Sequence, residues 1–155
     1  MKLYLLRHAS ANDANTDPER GLSEQGSAEA TRMAEMLQQM TNLEVKVVLH
    51  SGKKRAQETA EIVAGAMLPT PKVMLGNNLE PNGDVQVWVE RALVMEENVL
   101  LVGHLPHLGR LAACLLSQDE NKEVFAFRTA TMACLQRHSG GDWTLNWLLD
   151  PSVLR

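Results

Sequence analysis

The sequence predicts an α/β fold, a three-layer α/β/α sandwich on a mostly parallel mixed sheet with a C-terminal antiparallel hairpin. Two apolar runs, Leu3-Tyr4-Leu5-Leu6 and Val99-Leu100-Leu101-Val102, lack the alternation of a half-exposed strand. Uninterrupted runs of this kind belong to strands covered on both faces, as in parallel sheets flanked by helices. Strand-like and helix-like segments alternate along most of the chain, the pattern of βα units. Near the carboxyl end, Ser139-Gly140-Gly141-Asp142 joins two apolar segments as a hairpin turn would.

The first strand ends at Arg7-His8, and a polar loop runs from Ala9 to Gly21. Ser23 fits a helix N-cap, with Glu24 in the first turn where the helix dipole favours negative charge. Ala30, Met33, Ala34, Leu37 and Met40 follow at helical spacing, although Gly26 in the first turn costs helix stability. Val45, Val47, Val48 and Leu49 read as a short strand stopping at His50-Ser51-Gly52. Ala56, Thr59, Ala60, Val63, Ala64 and Met67 mark a second helix, closed by Pro69 and Pro71. Lys72 to Leu75 is a third strand, leading into an irregular loop that ends at Asp84, an N-cap for the helix carrying Val85, Trp88, Val89, Ala92 and Leu93. The strand Val99 to Gly103 ends at His104. Pro106 suits the first turn of a helix whose apolar face is Leu108, Leu111, Ala112 and Leu115. After a charged loop from Ser117 to Glu123, Thr131 to His138 and Trp143 to Leu149 form the hairpin.

The 155 residues are read as one domain spanning 1–155. A hydrophobic content of 45% with 22% charged residues is that of a soluble globular protein, and a net charge of -4 argues against nucleic acid as the main partner. Arg7 and His8 interrupt the first apolar run before a signal-peptide core can form, and no stretch reaches the ~20 apolar residues of a membrane span. Cys114 and Cys134 lie in apolar stretches and read as buried, reduced thiols, which suits a cytoplasmic protein.

Ligands of open α/β sheets bind beyond the carboxyl ends of the strands. If the strands are parallel, Arg7-His8, Ser51 to Arg55, and His104 all arrive at one edge. Singly, each has a bland reading as a solvated or capped residue. Together they gather two arginines and two histidines. Arg55 also falls in a helix first turn, where a positive charge opposes the dipole and calls for an anion. The combination favours a phosphate pocket.

Leu6-Arg7-His8-Ala9 resembles the Arg-His-Gly signature of the histidine phosphatase superfamily, the phosphoglycerate-mutase-like fold, with Ala9 in place of the usual glycine. Asp17 to Gly26 resembles that family's segment opening the first helix, Ser51 to Ala60 the stretch carrying its second arginine, and Val102-Gly103-His104-Leu105-Pro106 the one carrying its second histidine. Four motifs in the same order cover nearly the whole chain. The short length and the His-Leu-Pro variant look most like the small bacterial SixA-type phosphohistidine phosphatases.

The resemblance implies that His8 is the nucleophile and that Arg7, Arg55 and His104 bind the phosphoryl oxygens, with the Leu105 amide assisting. It implies no metal and no cofactor. A neutral imidazole held through its other nitrogen is a competent nucleophile, which agrees. In ester-cleaving relatives a carboxylate from the third-strand loop protonates the leaving oxygen; here the candidates are Glu80 and Asp84, and Asp84 is already an N-cap. A site with no firm acid suits a P–N substrate, because imidazole can leave carrying its own proton. The short span between the third strand and the next core strand leaves the pocket unroofed, open to a histidine on another protein. The expected partner is a phosphohistidine-bearing signalling or phosphotransfer protein, with no nucleic acid and no membrane. Arg20, flanking the site, is a contact for that partner or else pairs on the surface with Asp17 or Glu19. His107, three residues after His104, suggests a metal pair only if a third ligand exists, and none is evident. His50 and His138 have no evident partner. A small-molecule phosphomonoesterase and a phosphate-binding module without turnover are the alternatives.

Overall fold

The computed structural model describes residues 1–154; Arg155, the last residue of the span read as one domain, lies outside the described residues. Four strands run parallel: β1 (Lys2–Arg7), β2 (Val47–His50), β3 (Lys72–Leu75) and β4 (Val99–Gly103). β5 (Met132–Arg137) pairs antiparallel with β1, and β6 (Trp143–Leu149) antiparallel with β5. The sheet order is β3-β2-β4-β1-β5-β6. This is the mixed sheet with a C-terminal hairpin expected from the sequence.

Side chains of a strand alternate between faces, and in β1 both faces are apolar. Leu3 and Leu5 join Leu101 and Val99 of β4 in a core closed by α3 (Val85–Val94) and α4 (His107–Ser117), which contribute Trp88, Leu108 and Leu111. Tyr4 and Leu6 face the other way, joining Val48, Leu100 and Val102 against α1 (Glu24–Gln38) and α2 (Lys54–Gly65), which contribute Met33, Leu37, Ala60 and Val63. Each fully buried large side chain adds roughly 1.5–3 kcal/mol, so the two cores carry the fold. The helix starts match their caps: Ser23 Oγ accepts from the Gly26 amide at 3.0 Å, and the Asp84 carboxylate from the Gln86 amide at 3.0 Å.

Several boundaries differ from expectation. β2 begins at Val47, leaving Val45 outside the strand, and Met67 lies beyond the end of α2. The hairpin's first strand is trimmed at both ends, to Met132 and Arg137. Pro106 occupies the cap position of α4 rather than its first turn. Cys134 is fully buried in β5, whereas Cys114 is only half-buried, because it lies on the flank of α4 while Leu111 and Leu115 take the core-facing positions. A short 3-10 turn at Pro151–Val153, started by Asp150, had no periodicity to announce it; Arg32 Nη1 reaches the Pro151 carbonyl at 3.4 Å. Among the described residues no helix is long and apolar enough to cross a membrane.

Gly26 proves to be a requirement rather than a flaw in α1. A Cβ there would lie 1.9 Å from the Ser10 carbonyl oxygen, two residues after His8. Neither backbone can yield without moving the loop that follows β1. Gly26→Ala is therefore expected to destabilise the protein by about 1–3 kcal/mol, the usual range for overpacking, and to lower activity as well. A melting temperature equal to that of the parent would show that the contact is slack.

Candidate active site

The register sets Arg7 opposite Gly103 and His50 opposite Val102, so the carboxyl ends of β1, β2 and β4 share one edge. The His8 amide extends the β1–β4 ladder by donating to the Gly103 carbonyl at 3.0 Å, while the Ala130 amide donates to the Arg7 carbonyl from the other side at 3.1 Å. His8 thus leaves the sheet on a doubly anchored backbone. Its Nδ1 lies 2.7 Å from the Ala9 carbonyl. A carbonyl only accepts, so the proton of the neutral ring sits on Nδ1 and the lone pair on Nε2. Burial first, then the charges of Arg55, Arg7 and Arg20, push the His8 pKa down to about 4.

His104, buried at the end of β4, places its ring 4.8 Å from that of His8, centroid to centroid. Its Nε2 is 2.6 Å from Ser51 Oγ, and that hydroxyl also accepts from the Lys53 amide at 3.3 Å. His104 Nδ1 is buried with no hydrogen-bond partner among the described residues. Burial, followed by the influence of His8 and Arg55, pushes the His104 pKa down to about 3.

The two arginines complete the cluster. Arg7 Nη1 donates to the Phe127 carbonyl at 2.7 Å, and Arg7 Nε is buried without a partner. Arg55 stands in the first turn of α2, which holds no acidic residue, and its Nε is likewise buried and unpartnered. Thr59, one turn later, ties this turn to the loop after His8: Oγ1 donates to the Arg55 carbonyl at 2.7 Å and accepts from the Ala9 amide at 3.1 Å. Burial lowers both guanidinium pKa values, and Arg20 lowers that of Arg55 further. Guanidinium groups nonetheless stay charged. The carboxylate facing Arg7 is Glu29, which takes hydrogen bonds from the Ser10 amide and hydroxyl, both at 2.9 Å. Cations outnumber anions around His8, as a site for a dianion requires.

Arg20 acts electrostatically on both His8 and Arg55, and its Nε donates to the Asn12 carbonyl at 3.1 Å. The surface pairing with Asp17 or Glu19 does not form. Asp17 instead accepts from Asn12 Nδ2 at 3.1 Å and the Gly21 amide at 2.9 Å, while Glu19 pairs with Lys54 at 3.1 Å. Leu105 follows His104 on the rim, and its amide has no protein partner among the described residues. Glu80 is exposed; the preceding residue's carbonyl approaches the place a Gly103 Cβ would occupy, at 3.3 Å, which sets the loop over the end of β4. The Glu80 carboxylate makes no hydrogen bond among the described residues. His107 is fully enclosed, and no group of three or more His, Cys, Asp or Glu gathers there or elsewhere among the described residues. His50 Nδ1 accepts from the Gly52 amide at 3.1 Å, and His138 Nε2 lies 2.7 Å from Thr144 Oγ1, so both have the partners that sequence alone left open.

The profile of the histidine phosphatase superfamily (branch 1) matches residues 3–74. The phosphohistidine phosphatase SixA of Escherichia coli is 33% identical over 161 aligned positions, covering 100% of this chain and 97% of that protein. The chain belongs to the histidine phosphatase superfamily. It is a phosphatase of SixA type: the structure of a protein histidine phosphatase SixA complexed with tungstate superposes with a TM-score of 0.86 at 29% identity, covering 100% of both chains. An uncharacterized protein of Picosynechococcus sp. is 37% identical over 123 residues, 74% of this chain and 73% of its own.

For a histidine phosphatase the charge state of His8 is the first thing to measure. With a pKa lowered from 6.5 to about 4, the free enzyme holds His8 neutral far into the acid range, and His104, at about 3, further still. A nuclear magnetic resonance titration of the free protein is expected to find both rings neutral at pH 5.5. A His8 midpoint near 6.5 would show that water reaches the pocket and that burial does not set its protonation.

Proposed function

We propose that the protein removes the phosphoryl group from a phosphohistidine displayed on a signalling or phosphotransfer protein, by way of a phosphorylated His8. The observation that carries this reading is the free lone pair on His8 Nε2, fixed by the Nδ1–H bond to Ala9 and set among Arg7, Arg55 and His104.

Nε2 attacks phosphorus while the bond from phosphorus to the substrate's imidazole nitrogen breaks. That imidazole, protonated on its other nitrogen, takes the bonding pair and leaves as a neutral ring. His8 is left phosphorylated on Nε2 and protonated on Nδ1. Water then attacks phosphorus, the pair returns to Nε2, and the two protons of the water depart on dihydrogen phosphate. Arg7 and Arg55 offset the charge of the transferring phosphoryl oxygens through guanidinium groups that already lie in place. Ser51, accepting from Lys53, donates to His104 Nε2; the His104 proton then sits on Nδ1, the unpartnered nitrogen, and is shared with a phosphoryl oxygen as a hydrogen bond without being transferred. The Leu105 amide adds a second donor on that side, and Arg20 contacts the incoming protein at the rim.

Two facts support a nitrogen leaving group. Glu80, the candidate acid, is exposed and unsupported by hydrogen bonds, whereas a catalytic acid acts through a held geometry. The SixA of Escherichia coli is a phosphohistidine phosphatase. Phosphate release from a phosphohistidine peptide and from p-nitrophenyl phosphate provides the test. The expected result is a kcat/KM at least tenfold higher for the peptide. Preference for the ester by a similar factor would make the protein a small-molecule phosphomonoesterase.

A further inference from the structure

Beside the site, an apolar cleft of about 270 Å³ opens between the start of α4 and the segment before β5. Leu105, the neighbour of His104, forms one lip and is 36% exposed. Phe125 and Phe127, with rings 4.9 Å apart, form the opposite wall. The Phe127 carbonyl is the group that holds Arg7, so the cleft and the phosphoryl site share their dividing wall. At the far end Arg110 Nη2 pairs with Glu120 at 2.9 Å, fastening the segment to α4.

The floor of the cleft is Gly109, inside α4. A glycine there costs helix stability. Neither its backbone nor its packing calls for one: its φ is not in the left-handed region, and an added Cβ would meet only Leu105 Cδ2 at an ordinary 3.5 Å. What the missing side chain provides is space.

We infer that this cleft takes an apolar side chain of the protein substrate, from a residue flanking the phosphohistidine. The inference rests on the proposed function and adds a specificity determinant to it. A group seated between Leu105 and Phe125 lies next to a phosphoryl group held by Arg7 and His104, so one segment anchored by its phosphate reaches both places. Each anchoring lowers the entropic cost of the other. A small phosphoester has nothing to place in the cleft and is indifferent to it.

The test uses phosphohistidine peptides of one length, flanked on both sides by leucine or by glycine, with p-nitrophenyl phosphate as the small substrate. For the parent enzyme the leucine-flanked peptide is expected to show a kcat/KM at least tenfold above that of the glycine-flanked one, chiefly through KM. In Gly109→Phe, which fills the floor, the two peptides should fall within about threefold of each other while p-nitrophenyl phosphate turnover stays within twofold. Phe125→Ala, which breaches the wall, should also erode the preference, and turnover of the ester reports that each variant is folded. Equal use of both peptides by the parent, or a preference that survives in Gly109→Phe, overturns the inference and leaves the proposed function standing. Hydrolysis of the ester with neither peptide touched overturns both.

Discussion

His8→Ala is expected to stop phosphate release, with kcat falling by roughly 10⁴-fold or more, the scale on which removing a nucleophile acts. The variant lacks the atom that bonds to phosphorus, and no neighbour can substitute: His104 Nε2 is engaged by Ser51 and its Nδ1 carries the ring proton, so neither nitrogen offers a free lone pair. The fold should survive. The loop is held through backbone groups, by the His8 amide on Gly103 and the Ala130 amide on Arg7, and these do not depend on the side chain. The parent enzyme, quenched during turnover, is expected to yield an acid-labile, base-stable phosphoenzyme that His8→Ala does not. Turnover within tenfold of the parent, or the same phosphoenzyme in the variant, removes His8 as the nucleophile. The inactive protein also serves as a trap for identifying the phosphorylated partner by mass spectrometry.

Arg55→Ala is expected to lower kcat by about 10²–10³-fold, corresponding to the ~3–4 kcal/mol lost when one preorganised donor to a developing oxyanion is deleted. Stability should move the other way or not at all. Arg55 Nε has no protein partner, so its removal orphans nothing; Arg20 is relieved of a like charge; and a cation is removed from a helix N-terminus, where it was unfavourable. Loss of activity with an unchanged or raised melting temperature is the signature of a residue held for its ligand. A lowered melting temperature with near-normal kcat would assign Arg55 to structure instead. Arg55→Lys should recover only part of the rate, because a point charge does not reproduce the guanidinium fork.

What could be read from the chain was whatever neighbouring residues encode. The uninterrupted run before Arg7 and the one before His104 announced strands covered on both sides, and their parallel course follows from the helices between them. Arg55 was legible because a positive charge in the first turn of a helix opposes the dipole and calls for an anion. Residues whose roles come from distant contacts were not. Glu29 reaches Ser10 from α1, the Phe127 carbonyl reaches Arg7 from 120 positions away, and Ser51 meets His104 across 53. Thr59 carried a faint signal, a polar residue on an apolar helix face one turn after Arg55, and was read only as part of that face. The fate of Arg20 was hidden for the same reason: Lys54, far along the chain, takes Glu19. Gly26 looked like a weak helix residue because Ser10, which it must clear, approaches only in three dimensions.

The strand that leads into His8 is completed only by residues far downstream of it. β1 lies between β4 and β5, and its second partner comes from Met132 to Arg137. A nascent chain that has emerged as far as residue 118 already contains both histidines and both arginines, yet one side of β1 is still an unpaired border, and Arg7 has no carbonyl to rest on. Competence therefore arrives only once Phe127 and β5 have been translated, and a ribosome stalled before them would display an adhesive strand instead of an enzyme.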